Sequence, residues 1–396
     1  MKHLRNLFGA MMLLVTALTL TGCGNGDNAL EEIINGAGGG GSEATVTFTA
    51  SDGVTPIMLT SLTLKNAGLK NGYITISSET PVSSVTMNVQ NSLSGKQTYE
   101  VEAIDDKGLP WKASIDLTLT QGNTYNEDIS LAFDALNCPL TFEAISSTMQ
   151  LYLQNHTSTD KVFFYRIDNG LWTPLIVAQN TEQILGPATI IQLKGNNNAY
   201  AEFDGSTSKS SRIVSDDAFY MYGNINSLLT TENFASITEY TVANRWAFFN
   251  LFNNNNKMKS HDTKELVLPC TKMAERCYSW MFKACSGLTR APVLPAMELA
   301  EGCYFQMFYS CYGLTKAPDL PAKKLEKNCY YEMFRNCNQL NYVKCLATDR
   351  TAFQCIFEWL SGVPATGGTF VGAPGMTWTP GTCGIPTGWT SIEATD

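Results

Sequence analysis

Twelve cysteines, three histidines and two Asp-Asp pairs, Asp105-Asp106 and Asp216-Asp217, are the groups with which this 396-residue chain could do chemistry. Paired carboxylates serve glycoside hydrolysis when they flank a bond from two sides. Here both pairs sit in turn-like sequence, and His156 and His261 lie in polar stretches that read as surface loops. No Gly-x-Ser-x-Gly, His-Glu-x-x-His or phosphate-cradling glycine loop occurs, and neither does Cys-x-x-Cys or the Asp-x-Asp-x-Asp-Gly pattern of a calcium loop. The expectation is a protein without catalysis, cofactor or metal.

The cysteines are organised by a repeat. From Leu268 the chain reads LPCTKMAERCYSWMFKACSGLTRAPV, from Leu294 LPAMELAEGCYFQMFYSCYGLTKAPD, and from Leu320 LPAKKLEKNCYYEMFRNCNQLNYVKC. Leu268, Leu294 and Leu320 are in phase at 26 residues, as are Cys277, Cys303 and Cys329, the Met-Phe pairs 281/282, 307/308 and 333/334, and Cys285, Cys311 and Cys337. A fixed period in the twenties predicts units that stack on one another. A worn fourth copy follows in which Cys355 and Trp359-Leu360 take the Cys and Met-Phe positions, so the repeats span 268–363, with caps at 216–267 and 364–396.

Within a unit, Ala274, Cys277, Tyr278, Met281, Phe282 and Cys285 recur at three- and four-residue spacing, which predicts one face of a short helix. Pro292 requires Leu288 to Leu294 to be extended and near an edge. A column of buried Cys packs as small apolar residues. Buried thiols are therefore the first reading of the six in-phase cysteines, with disulfides and a metal cluster as alternatives.

In-phase positions that vary are the ones a stack can offer to a partner. Arg290, Lys316 and Tyr342 share one column on the extended stretch, while Trp280, Phe305 and Tyr331 lie on the predicted helix. Aromatic and Arg side chains are the usual anchors of an interface, so these six form the candidate binding face.

The N-terminus carries Lys2 and Arg5, an apolar run from Leu7 to Leu20 and then Leu20-Thr21-Gly22-Cys23. That run is shorter than the roughly 20 residues needed to span a bilayer and reads as a secretory signal over 1–22. The Leu-Thr-Gly-Cys ending resembles the bacterial lipobox, which implies cleavage before Cys23 and a lipid on that residue. Residues 23–43 are a Gly-rich flexible tether. Asp27, Glu31 and Glu32 within it resemble the acidic stretch that sends lipoproteins outward in some anaerobic Gram-negative bacteria, which implies an outer-membrane, surface-exposed chain. The net charge of -9 argues against nucleic acid as a partner.

From 44 to 133, short alternating runs such as Thr45-Val46-Thr47-Phe48 and Val85-Thr86-Met87-Asn88-Val89 are separated by turn signals and predict an antiparallel β-sandwich; a second, smaller one is expected over 138–215. The stretches LTSLTLKN, YITISSETPVSSVTMNVQN and KQTYEVEAIDDKG resemble one domain of the fimbrillin-like surface proteins. In the repeats, Met-Phe-x-x-Cys-x-x-Leu followed by an extended stretch and Leu-Pro resembles the BspA-like leucine-rich repeat proteins. Together these resemblances imply two β-sandwich domains followed by a C-terminal leucine-rich repeat solenoid with a helix and a strand per unit. They imply a monomeric, lipid-anchored adhesin for a host or bacterial surface protein or glycan, or else an accessory or tip subunit of a fimbria.

Overall fold

The computed structural model describes residues 43–205, 208–364 and 366–395. The signal segment, Cys23 and the tether as far as Ser42 lie outside these residues. The described chain holds 22 strands and three short 3-10 turns, Ile225–Leu228, Phe234–Ser236 and Val242–Asn244, and no α-helix.

Period-two alternation builds the first module. In β1 (Ala44–Ser51), Ala44, Val46, Phe48 and Ala50 point inward and are fully buried. Strand β2 spans Leu59–Lys65, β3 Tyr73–Val82, β4 Ser84–Val89, β5 Lys96–Asp105, β6 Pro110–Thr118, β7 Thr124–Ser130 and β8 Ala132–Phe133. They form two sheets, ordered β4-β1-β7 and β3-β2-β5-β6-β8. The β1–β7 pairing is parallel, so the module is not wholly antiparallel. It keeps a core of its own around Phe48, Leu62, Met87, Tyr99 and Val101.

The second set of strands comprises β9 (Leu140–Ala144), β10 (Met149–Asn155), β11 (Lys161–Ile167), β12 (Thr173–Val177), β13 (Thr181–Ala188), β14 (Ile190–Gly195), β15 (Ala201–Phe203), β16 (Ser208–Val214) and β17 (Phe219–Asn224). One sheet runs β12-β11-β14-β9-β17 and the other β13-β10-β16-β15. The first of these continues into the repeat region, because β18 (Met258–Lys259) and β19 (Leu266–Val267) pair in parallel with β17, and Val267 bridges in parallel to Val293. A single hydrophobic core accordingly runs from Leu140 to Trp389.

The leucine-rich repeat solenoid with a helix in each unit is overturned, because the repeat region contains only turns, bridges and strands. The reason is visible in the backbone. Cys277, Ser279, Met281, Lys283 and Cys285 donate their N–H groups to the carbonyls three residues earlier, at 3.1–3.3 Å, closing a train of successive turns. The intervening Arg276, Tyr278, Trp280, Phe282 and Ala284 donate sideways, to the carbonyls of Glu301, Cys303, Phe305, Met307 and Tyr309 in the next unit, at 2.7–3.0 Å. Every fourth residue is left-handed: Arg276, Trp280 and Ala284 have φ of 51°, 59° and 59°, and Gln306, Ser310, Glu332 and Asn336 repeat the pattern. A turn train of period four places apolar dyads at 277/278 and 281/282 on one side. That spacing matches a helix of 3.6 residues per turn closely enough over ten residues to be mistaken for one.

The same lateral bonding links five layers, 246–254, 276–284, 302–310, 328–336 and 354–362. Inside them, Phe252, Phe282, Phe308 and Phe334 stack at centroid distances of 5.8, 5.7 and 5.7 Å, and Tyr278, Tyr304 and Tyr330 at 6.0 Å. On the extended side, β20 (Tyr342–Cys345), β21 (Thr366–Gly372) and β22 (Gly388–Glu393) form a parallel sheet that closes the chain.

A left-handed Ala carries a Cβ penalty that Gly lacks. Ala284→Gly is therefore expected to raise the stability of the folded chain by about 1 kcal/mol, read as an upward shift in the urea midpoint. The same exchange at Ala274, whose φ is not left-handed, should lower it, as it would throughout a helix.

Candidate binding surface

The six candidate residues separate into two groups. Phe305 and Tyr331 lie on the turn-rich arm and stack face to face at 4.6 Å with 4° between their planes. Their row extends further than the sequence indicated. Phe357 continues it at 5.3 Å from Tyr331, the Arg276 guanidinium lies 5.1 Å from the Phe305 ring and 5.4 Å from Trp246, and Trp246 stacks on Phe203 at 5.7 Å. Phe357 was foreseeable, falling 26 residues after Tyr331. Trp246 was not, since an insertion puts its layer out of phase. Trp280 sits beside this row, 5.1 Å from Phe249 and with the Lys283 ammonium 4.7 Å from its ring.

These rings face one another along the stack and turn their edges outward. A sugar ring needs an open aromatic face to rest on, and the neighbours in the ladder already occupy both faces of Phe305 and Tyr331. The row stabilises the stack and presents a rim of aromatic edges and Arg276 to a partner.

Arg290, Lys316 and Tyr342 lie on the extended arm. Lys316 and Tyr342 are paired across adjacent layers, with the ammonium 4.8 Å from the phenol ring. Arg290 is exposed and donates to the carbonyls of His261 and Asp262, while its own N–H is held by Ser260 Oγ at 3.0 Å. It stands at the rim of a cleft of about 100 Å³ between β17–β19 and the first repeat. Met221, Met258, Leu288, Ala291 and Pro292 line its apolar floor, and Lys259, His261, Lys264, Glu265 and Arg290 line its polar wall.

His261, expected on a surface loop, is instead half-buried against Tyr220 and Tyr222, with ring centroids 4.9 and 5.6 Å away. Its Nδ1 accepts from the N–H groups of Thr263 and Lys264 at 3.2 and 3.1 Å, which leaves the ring proton on Nε2. Burial, with the Lys264 charge beside it, holds its pKa below the ordinary value, so the ring is neutral near pH 7. Lys264 is committed elsewhere. It pairs with Glu143 at 2.7 Å, an oxygen that Tyr222 OH also reaches at 2.7 Å, while Lys107 of the first β module holds the other oxygen at 3.1 Å. Neither Asp105-Asp106 nor Asp216-Asp217 approaches this cleft. Asp105 is buried and accepts from Leu109 N–H and Trp111 Nε1, and Asp217 accepts from Gln150 N–H.

The in-phase cysteines are thiols in the interior. The Sγ atoms of Cys285, Cys311 and Cys337 donate to the carbonyls of Phe252, Phe282 and Phe308 at 3.1, 3.1 and 3.0 Å. Burial pushes the Cys285 and Cys337 thiols up to about 12. No disulfide and no group of His, Cys, Asp or Glu able to hold a metal is present among the described residues.

No protein-family model matches this chain, and no curated protein does. The helix missing from every repeat overturns the BspA-like leucine-rich repeat resemblance, and the fimbrillin-like resemblance, matched by no family model or curated protein, is set aside with it. Among solved structures, the chain is similar to a DUF4876 family protein from Bacteroides thetaiotaomicron, at 17% identity over 43% of this chain and with a TM-score of 0.16. The match spans about half, 48%, of that protein's chain.

The ion pair beside the cleft makes a pH-dependent prediction. Burial raises the Glu143 pKa, but the Lys264 charge and hydrogen bond, Tyr222 and Lys107 outweigh it and bring it from 4.5 to about 2. A depressed carboxyl contributes stability above its unfolded pKa and loses it as pH falls. The stability advantage of the native chain over Glu143→Gln, read from urea midpoints, should be full at pH 6 and shrink between about 4.5 and 2. An advantage that does not change with pH would show that the pair is not charged.

Proposed function

We propose that this chain is a non-catalytic binding module, exported and held at a membrane through a lipid on Cys23, whose contact surface is the extended arm of the stacked layers. The observation that supports the reading most is the division within each repeat between an in-phase buried set and an exposed set that changes from layer to layer. Cys277, Met281 and Phe282 recur unchanged because they fill one interior, whereas the exposed Arg290 and Lys316 and the half-buried Tyr342 occupy one column with three different side chains.

The partner that fits best is a protein with an acidic segment. Lys259, Arg290 and Lys316 concentrate positive charge along the extended arm of a chain whose net charge is -9, with Glu265 as the acidic group in the cleft wall. The cleft takes one aliphatic side chain beside Arg290. Ring edges in place of ring faces along the Phe305 row disfavour a glycan. No described helix is long and apolar enough to cross a membrane, so attachment in this reading falls to Cys23.

The test uses the whole mature chain, because the core joining 140 to 389 would be cut by isolating the repeats. Probed against extracellular proteins and glycans, it is expected to retain acidic proteins. Arg290→Ala with Lys316→Ala should weaken that binding about tenfold or more, as for a central charged anchor. Retention of glycans alone, or unchanged protein binding by the double variant, would refute the reading.

A further inference from the structure

The C-terminal end of the stack is built differently from its other layers. Layer 354–362 passes one lateral hydrogen bond onward, Glu358 N–H to Thr382 O at 2.9 Å, where each earlier layer passes five. The segment that follows rests on it through Trp359 Nε1 to Gly384 O at 2.6 Å and through Trp378, which stacks on Trp359 at 5.5 Å and lies under the Arg350 guanidinium at 4.1 Å. The fit is incomplete. A cleft of about 400 Å³ opens between this segment and residues 350–356, and Arg350, Gln354, Ile356 and Met376 line it together with two cysteines, Cys355 and Cys383.

These two thiols differ from the rest. Of the eleven cysteines in the described residues, ten are buried and Cys383 alone is exposed. Cys355 belongs to the in-phase column but faces the cleft, and its Sγ donates to Arg350 O at 3.4 Å. Cys383 lines the same cleft, which brings an exposed and a buried thiol to one opening. Gly381 and Gly384 flank Cys383. Gly381 has φ of 140° and open space around its α-carbon, whereas Gly384 packs against Thr379 O, so adjustment of this turn falls to the Gly381 side of Cys383.

We propose that Cys355 and Cys383 are a redox pair whose disulfide closes the C-terminal end of the stack. The oxidant is a small-molecule disulfide. The exposed Cys383 thiolate attacks one of its sulfurs, the reagent's S–S bond breaks, and one small thiol leaves. Cys355, its proton lost to solvent, then attacks the Cys383 sulfur of the mixed disulfide and expels the second small thiol. Two protein thiols are thereby oxidised by two electrons, and one reagent disulfide is reduced to two thiols. The other in-phase cysteines take no part, since they are fully buried and do not line the cleft.

The folded, reduced chain is incubated with oxidised glutathione, alkylated, and digested without reduction for mass spectrometry. The expected product is an intramolecular Cys355–Cys383 cross-linked peptide, with the urea midpoint raised. Cys355→Ser should stop at a single glutathione adduct on Cys383, and Cys383→Ser should give neither adduct nor cross-link. A stable adduct on Cys383 in the native sequence, a cross-link between two copies, or an unreactive Cys383 would each overturn the proposal. An adduct confined to Cys383 in Cys355→Ser, with the buried cysteines unmodified, also shows that the variant is folded, since an unfolded chain would react at those thiols too.

Discussion

The repeat region depends on one constraint: in a train of turns, every second backbone N–H points out of its own segment and needs an acceptor elsewhere. A buried N–H without a partner costs about as much as a lost hydrogen bond. The acceptors here are the carbonyls of the following layer, five per interface across four successive interfaces. One 26-residue unit therefore cannot stand alone, and the period cannot drift, since a one-residue slip would exchange the amides that point sideways with those that close the turns. The strict phase of Cys277, Cys303 and Cys329 is a consequence of that register.

The side chains follow from the backbone. Layers held at hydrogen-bonding distance bring like residues over like, so aromatic positions become stacked columns and cysteines become columns of thiols. Cysteine suits its place because it is small and its S–H donates to the carbonyl of a Phe in the layer before. The carbonyls of the 276–284 layer accept from the 246–254 segment, and its apolar cover comes from that segment and β17–β19, which is why the second set of strands shares the core of the repeats. The last layer has the poorest cover, and the one exposed thiol among the described residues lies there.

Part of this was legible in the sequence. The 26-residue phase of the layers, the apolar positions within them and the alternating strands from β1 to β7 follow from spacing alone. The helix expected at 274–285 was wrong because periods of 3.6 and 4 diverge by less than half a residue per turn, and over so short a run the apolar dyads fit both. A clue was present in Asn250, Asn254, Gly302, Asn328, Asn336 and Gly362, residues that tolerate left-handed backbone and fall on the four-residue phase of their layers, but Trp280, Gln306 and Glu332 occupy equivalent positions and obscure it. At the candidate surface, the Arg290 column is a local property of the repeat and could be read. The cleft beside it, the buried Glu143–Lys264 pair and the half-buried His261 depend on β17 meeting a segment about 40 residues later, which no local pattern encodes.

The central claim is that each repeat is a turn train with left-handed residues four apart, bonded laterally to its neighbour. Residue-specific NMR of backbone φ at Trp280, Gln306 and Glu332 tests it most directly. Strong intraresidue amide–Hα contacts, the mark of positive φ, are predicted at all three, and negative φ at Cys277, Tyr278 and Met281 between them. Negative φ at Trp280, Gln306 and Glu332, with amide–amide contacts running unbroken from Ala274 to Cys285, would mean a helix and would contradict the account.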